Sequence, residues 1–256
     1  MNTIPQQMTI GTVVARKDWT ATLFSLCIKS EALNYTAGQF AKLGLVDGSG
    51  ELIRRAYSIV THPEQYKRDN TLEFLIITDE KGRLSPLLNQ LQVGDSIYVG
   101  NKAAGFMTLD EIPTPTTELW LMATGSASGP FISMLGDEQI ENRFQRIVLV
   151  HAVRNREELT YTDEIRLLLE KNQEIRYVPI ISREHVSGVL SGRIPDLLLS
   201  GELQAAADTS FHVDKSFVYL CGNPEMVKDT SQTLITLGLT KHLRKTPGNF
   251  GSENYW

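Results

Sequence analysis

From Thr9 to about Val99, apolar and polar residues alternate at the period of a half-buried strand. "TLFSLCIKS" sets Phe24, Leu26 and Ile28 on one face, and "TLEFLIIT" does the same with Leu72, Phe74 and Ile76. "DGSGE", "HPEQYKRDN" and "DEKGR" read as loops or hairpin connections, and "QVGDSIYVG" as a turn into a strand. Several short strands at this spacing predict an antiparallel sandwich or small barrel.

Past the proline-bearing "DEIPTPTTE" the rhythm changes. "LWLMATG", "RIVLVHAV", "IRYVPIIS" and "FVYLCG" are strand-like, and "GPFISML", "TDEIRLLLEK", "PDLLLSGEL" and "PEMVKDTSQTLITLG" are helical. Such alternation implies parallel strands joined by right-handed crossovers. The expected organisation is an all-β unit over residues 1–110, a linker at 111–117, and a Rossmann-like α/β unit over 118–256. No internal repeat is visible.

Composition narrows the class without naming a chemistry. A chain of 256 residues, 41% hydrophobic and 21% charged, is neither disordered nor fibrous. It has no apolar run of about 18 residues, and "MNTIPQQMTIGTVVARKD" lacks the basic start and apolar core of a signal peptide, so the cytoplasm is expected. Two cysteines, Cys27 and Cys221, form no metal-type cluster, so no resident metal or iron–sulfur centre is expected. A net charge of −5 argues against nucleic acid as the main partner.

The first parallel strand turns into its helix through "ATGSASGPF". At such a turn Gly125 and Gly129 let backbone approach a ligand, and the helix start offers unpaired N–H groups to an anion. They serve equally well as plain turn glycines. After the second strand Arg154 stands where an NAD site would carry a carboxylate, and Arg183 and Arg193 follow the third. Paired guanidinium N–H groups suit the 2′-phosphate of NADP. Three solvated surface arginines are the other reading of the same residues.

Taken in order, "RRAYSIV", "GRLSP", "NKAAGFM", "ATGSASGP", "CGNPEMV" and "ENYW" resemble the ferredoxin/flavodoxin–NADP reductase family in its bacterial form. That resemblance implies a Greek-key β-barrel holding FAD and an α/β unit holding NADPH. It implies Arg55 on the FAD pyrophosphate, Tyr57 against the isoalloxazine, and Ala56 and Ser58 between and beyond them. Strand alternation sends Arg55 and Tyr57 to one face and Ala56 and Ser58 to the other. Gly82, Arg83, Leu84 and Ser85 would open a helix toward the phosphates, with Ser85 also suited to cap it, and Ala104 would join the FAD site.

For NADP the resemblance implies Thr124, Gly125, Ser126, Arg154, Arg183, Arg193, Cys221, Gly222, Asn223 and Met226. Ser126 and Ser128 depart from the family, which more often has Thr and an aliphatic residue there. Ser58, Cys221 and Glu253 would form the reaction centre, with Glu253 within reach of Ser58. Tyr255 would lie near FAD, and Trp256 would stack on its adenine.

The implied activity is hydride transfer between NADPH and FAD, then single-electron exchange with ferredoxin or flavodoxin, by a monomer. Arg16, Lys17, Lys42, Arg54, Lys241, Arg244 and Lys245 are candidates for a basic rim facing an acidic partner. The rivals are an electron-transfer subunit of a particular oxygenase and a nonenzymatic NADP-binding sensor.

Overall fold

The computed structural model describes residues 4–31, 33–243 and 245–254. Its first half holds β1 (Met8–Asp18), β2 (Leu23–Lys29), β3 (Phe40–Val46), β4 (Leu52–Ser58), α1 (Pro63–Asp69), β5 (Thr71–Ile77), α2 (Ser85–Gln90) and β6 (Ser96–Gly100). The strands pair antiparallel in the order β4-β3-β6-β1-β2-β5. A bridge between Ile59 and Phe74, with the Val60 N–H donating to Glu73 O at 2.9 Å, joins the two ends and closes the sheet. Phe24, Leu26, Ile28, Leu72, Phe74 and Ile76, the alternating residues of the sequence pattern, are all buried there.

"HPEQYKRDN" is a correction, because it contains a helix rather than a loop. His62 Nδ1 accepts the Glu64 N–H at 3.3 Å, Pro63 occupies the first turn, and Asn70 ends the helix in the left-handed region at φ 55. Tyr66 anchors α1 to the barrel: its hydroxyl donates to Ser30 O at 2.7 Å and accepts the Leu33 N–H at 3.1 Å.

The second half runs β7 (Glu118–Thr124), α3 (Gly129–Leu135), α4 (Glu138–Arg143), β8 (Arg146–Val153), α5 (Thr162–Lys171), β9 (Ile175–Ile181), β10 (Leu190–Ser191), α6 (Ile194–Ser200), α7 (Glu202–Ala207), β11 (Ser216–Gly222), α8 (Pro224–Thr236) and β12 (Phe250–Asn254). All strands pair parallel in the order β10-β9-β8-β7-β11-β12. "PDLLLSGEL" is two helices, because Gly201 at φ 81 breaks the run. β12, at the sheet edge, was absent from the hydrophobic pattern: within "FGSEN" only Phe250 is fully buried.

The strand order reverses at β7, with β8, β9 and β10 on one side and β11 and β12 on the other. In open parallel sheets the crevice beyond the strand ends at that reversal is where ligands bind. One hydrophobic cluster spans both halves, packing Leu23, Val60 and Leu75 of the barrel with Phe131 and Met134 of α3. Gly129 permits this contact, since a Cβ there would lie 2.9 Å from the Val60 side chain. Ser133 Oγ adds a hydrogen bond to Thr61 O at 3.0 Å.

Candidate nucleotide-binding site

Two cavities meet between the halves. The larger, of about 600 Å³, is walled by Arg55, Ala56 and Tyr57 of β4, by Gly82, Arg83, Leu84 and Ser85, and by Leu75, Ile77, Thr78 and Asp79. Seven residues expected at FAD therefore face one space. Ala56 lines it beside Arg55 and Tyr57, although strand alternation assigns it to the opposite face.

Arg55 donates to Arg54 O at 2.8 Å and has no carboxylate partner among the described residues, which leaves its charge available to an anion. Tyr57 is half-buried, and burial pushes its phenol up to about 12 even though the Arg55 cation works against this, so the ring stays neutral. Gly82 is a close-approach position: a Cβ would lie 3.1 Å from Asp79 O and from Ser85 Oγ.

Ser85 does not cap α2 as the sequence suggested. It is the first helical residue, Leu84 occupies the cap position, and Ser85 Oγ accepts the Asp79 N–H at 3.0 Å. The hydroxyl thus stabilises the turn that precedes the helix. The guanidinium of Arg83 is held by Glu51 at 2.6 Å and Asp47 at 2.9 Å, so this residue faces the cavity with its charge already matched. Ser58 is buried and Ala104 exposed; neither lines this cavity, and Ala104 instead exchanges both backbone hydrogen bonds with Phe40.

The second cavity, of about 340 Å³, opens at the reversal of the parallel sheet. Thr124 ends β7, with Gly125 and Ser126 after it; Arg154 and Glu158 follow β8; Arg193 occupies the N-cap position of α6; Asn223 caps α8 and Met226 lies in its first turn. Gly125 has φ 55 and Gly222 φ 146, conformations that favour glycine. A Cβ at Gly222 would sit 2.0 Å from Thr124 Oγ1. That hydroxyl accepts the Asn223 N–H at 3.0 Å, tying the ends of β7 and β11 together, and Asn223 Oδ1 caps α8 by accepting the Glu225 and Met226 N–H groups.

Glu158, which sequence reasoning missed, governs Arg154. Its Oε1 pairs with Arg154 Nη2 at 2.7 Å and accepts Nε–H at 2.9 Å, while Oε2 accepts the Arg154 backbone N–H at 3.0 Å. The i,i+4 spacing was available as a signal, although a short 3₁₀ turn rather than an α-helix brings the pair together. Arg183 is exposed and does not line the cavity; it contributes its backbone N–H to Arg154 O at 2.9 Å.

Ile77 and Ser126 line both cavities. Ser126 Oγ is buried there without a hydrogen-bond partner among the described residues, a donor that a polar ligand would satisfy. Cys221 is buried beside Glu253 in the parallel ladder, and neither Cys221 nor Gly222 lines the cavity wall. Burial, with the Glu253 carboxylate adding to it, pushes the Cys221 thiol up, so it is no thiolate nucleophile. Burial also raises the Glu253 carboxyl, against the Phe106 and Met107 amides, and its hydrogen bond runs from the Phe106 N–H at 3.1 Å rather than to Ser58. Tyr255 and Trp256 lie outside the described residues.

The sequence model described as the oxidoreductase FAD-binding domain matches residues 11–103, and that of the oxidoreductase NAD-binding domain matches residues 121–232. The flavodoxin/ferredoxin–NADP reductase of Escherichia coli (strain K12) is 45% identical over 249 residues, covering 96% of this chain and 98% of its own. The enzyme of the same name from Buchnera aphidicola subsp. Baizongia pistaciae is 43% identical over 246 residues, covering 95% and 97%. The crystal structure of a ferredoxin NADP+ reductase from Neisseria gonorrhoeae with bound FAD and NADP superimposes with a TM-score of 0.90 at 34% identity, covering 98% of this chain and all of that one. Near-complete coverage at this identity, on a closed antiparallel sheet followed by a parallel one, decides the family: the chain belongs to the flavodoxin/ferredoxin–NADP reductases.

Proposed function

We propose that the chain exchanges a hydride between NADPH and FAD and single electrons between FAD and ferredoxin or flavodoxin. The observation that carries this is the meeting of the two cavities at Ile77 and Ser126, one walled by residues expected at FAD and the other by residues expected at NADP. FAD, when bound, supplies the two-electron and one-electron chemistry that side chains lack. Residues 1–110 would form the FAD unit, 111–117 the linker and 118–256 the NADP unit.

The residues present fit both groups. Arg55 would neutralise the pyrophosphate of FAD, the backbone from Gly82 to Ser85 would approach it closely, and the neutral ring of Tyr57 would cover the flavin. Gly125 would admit the NADP phosphates, while Arg154 and Arg193 would hold the 2′-phosphate, for which Arg154 must leave Glu158 or share it. Arg183 acts at most on the outer edge. Ser58, Cys221 and Glu253 line neither cavity and would act from behind the reacting rings, with Glu253 able to hold a proton at its carboxyl. Enclosure excludes water and keeps the rings aligned.

A single chain walls both cavities, so a monomer suffices, and we place it in the cytoplasm; among the described residues no helix is long and apolar enough to cross a membrane. For the acidic partner, exposed Lys42, Arg54, Lys241 and Lys245 of the expected rim have no ion-pair partner among the described residues. Arg16 is committed to Asp18, Asn89 and Leu91, and Lys17 Nζ sits 3.5 Å over the Trp19 ring. Arg244 lies outside the described residues.

The test is the visible spectrum of the purified protein. Flavin bands bleached by NADPH and hardly by NADH are expected, with cytochrome c reduction that requires added ferredoxin or flavodoxin and weakens with salt. A colourless protein would overturn the reading in favour of a nonenzymatic nucleotide-binding role.

A further inference from the structure

Tyr161 immediately precedes α5 in the parallel-sheet half, yet its hydroxyl is seated in the barrel. It donates to Glu73 Oε1 at 2.7 Å and lies 2.7 Å from Ser25 Oγ. Because the single Tyr161 proton goes to Glu73, the Tyr161 oxygen accepts from Ser25, whose Oγ in turn accepts the Trp19 Nε1–H at 2.9 Å. The donors thus run in one direction, from Trp19 through Ser25 and Tyr161 to the Glu73 carboxylate. The Trp19 ring packs on the Tyr161 ring at 5.0 Å, and Tyr161 is 3% exposed. Its backbone sits at φ 57, a left-handed conformation that non-glycine residues hold only where surrounding contacts require it.

Tyr161 also ends the segment that carries Arg154. That segment leaves β8 after Val153, and Glu158, three residues before Tyr161, clamps the Arg154 side chain and backbone together. Arg154, Arg156 and Glu157 are exposed, whereas Glu158, Thr160 and Tyr161 are buried, so the side chains that anchor the segment lie at its Tyr161 end. We propose that Tyr161 is a positioning residue of the nucleotide cavity: hooked onto Ser25 and Glu73, it fixes the 154–161 segment to the barrel and so fixes where Arg154 meets a 2′-phosphate. The inference rests on the reading of Arg154 as a phosphate ligand.

The experiment compares flavin-loaded wild type and Tyr161→Phe by isothermal titration calorimetry with NADP+ and with NAD+, alongside flavin content and thermal melting. Losing the hydroxyl is expected to weaken NADP+ roughly three- to tenfold. NAD+, which has no 2′-phosphate to misplace, shifts less, and flavin content holds. Glu73→Gln keeps an acceptor oxygen for Tyr161 and is expected to bind NADP+ more tightly than Tyr161→Phe; the reverse order overturns the proposal. If Tyr161→Phe does not fold, Ser25→Ala carries the same expectation. A lowered melting temperature with unchanged NADP+ affinity in the variant that folds would make the hook merely structural and overturn the proposal. A wild type without preference for NADP+ over NAD+ would sink the reading of Arg154 itself, whereas a preferring wild type with an unaffected variant sinks only the hook.

Discussion

Cys221 and Glu253 sit opposite one another in the parallel pairing of β11 and β12, and the Glu253 carboxylate accepts the Phe106 N–H from the connection that follows the barrel. A carboxyl from the last strand therefore joins both halves of the molecule. Burial raises its pKa above the ordinary 4.5, so the native state favours the protonated form. The stability it contributes is fully present below the ordinary value and is lost as pH rises through the raised one. Glu253→Gln retains an acceptor for Phe106 and removes the charge. It is expected to melt higher than wild type at about pH 8, with the difference closing by about pH 4; equal melting at both would show that the carboxyl titrates normally.

His151 gives the opposite sign. It is fully buried in β8, and desolvation pushes the imidazole down to about 4 from the ordinary 6.5. The native state holds it neutral, so its contribution is present above the ordinary value and is lost as pH falls from 6.5 toward 4. Complete protonation of the unfolded chain alone corresponds to about 3 kcal/mol. Denaturant unfolding of His151→Gln should show a flatter acid limb than wild type, and parallel limbs would remove His151 from the acid response.

Gly222→Ala combines a close approach with an unfavourable backbone. The new methyl meets Thr124 Oγ1 at 2.0 Å, and φ 146 strains any L-residue. A loss of about 2 kcal/mol in urea unfolding is expected, together with weaker NADP+ binding as the Thr124 to Asn223 contact is displaced.

Arg154 and Arg183, equivalent on the sequence, separate in the structure. Arg154→Ala should raise the KM for NADPH by roughly ten- to a hundredfold, the range of a lost charge-assisted hydrogen bond, with the KM for NADH little changed. Arg183→Ala should have the smaller effect, because only its backbone touches the site. Steady-state kinetics with both nucleotides decides the order.

Much of this was legible because it is local. Period-two alternation placed Phe24 and Leu72 in the barrel core, and the change of period after Pro115 placed the parallel sheet. From "RRAYS" Arg55, Ala56 and Tyr57, and from "GRLSP" Gly82 to Ser85, line one cavity, whereas Ser58 does not. What escaped depends on contacts distant along the chain. Tyr161 reaches partners 88 and 136 residues away, and nothing near it in the sequence distinguishes it from an ordinary helix-flanking tyrosine. α1 was hidden because His62, Pro63 and Asn70 are also turn residues, and only Tyr66 docking on Ser30 decides for the helix. Glu158 was hidden by its neighbour Glu157: two adjacent carboxylates follow Arg154, and only the 3₁₀ turn, which buries Glu158 and leaves Glu157 exposed, selects one.

The wall shared by the two cavities has a thermodynamic consequence. Ile77 and Ser126 belong to both spaces, so a ligand that shifts them while entering one alters the fit of the other. Such a coupling is reciprocal: whatever factor the nicotinamide nucleotide applies to flavin retention, the flavin applies equally to nucleotide affinity. A substitution at Ile77 therefore reports in two titrations at once, and the product of affinities around the cycle closes regardless of which ligand arrives first.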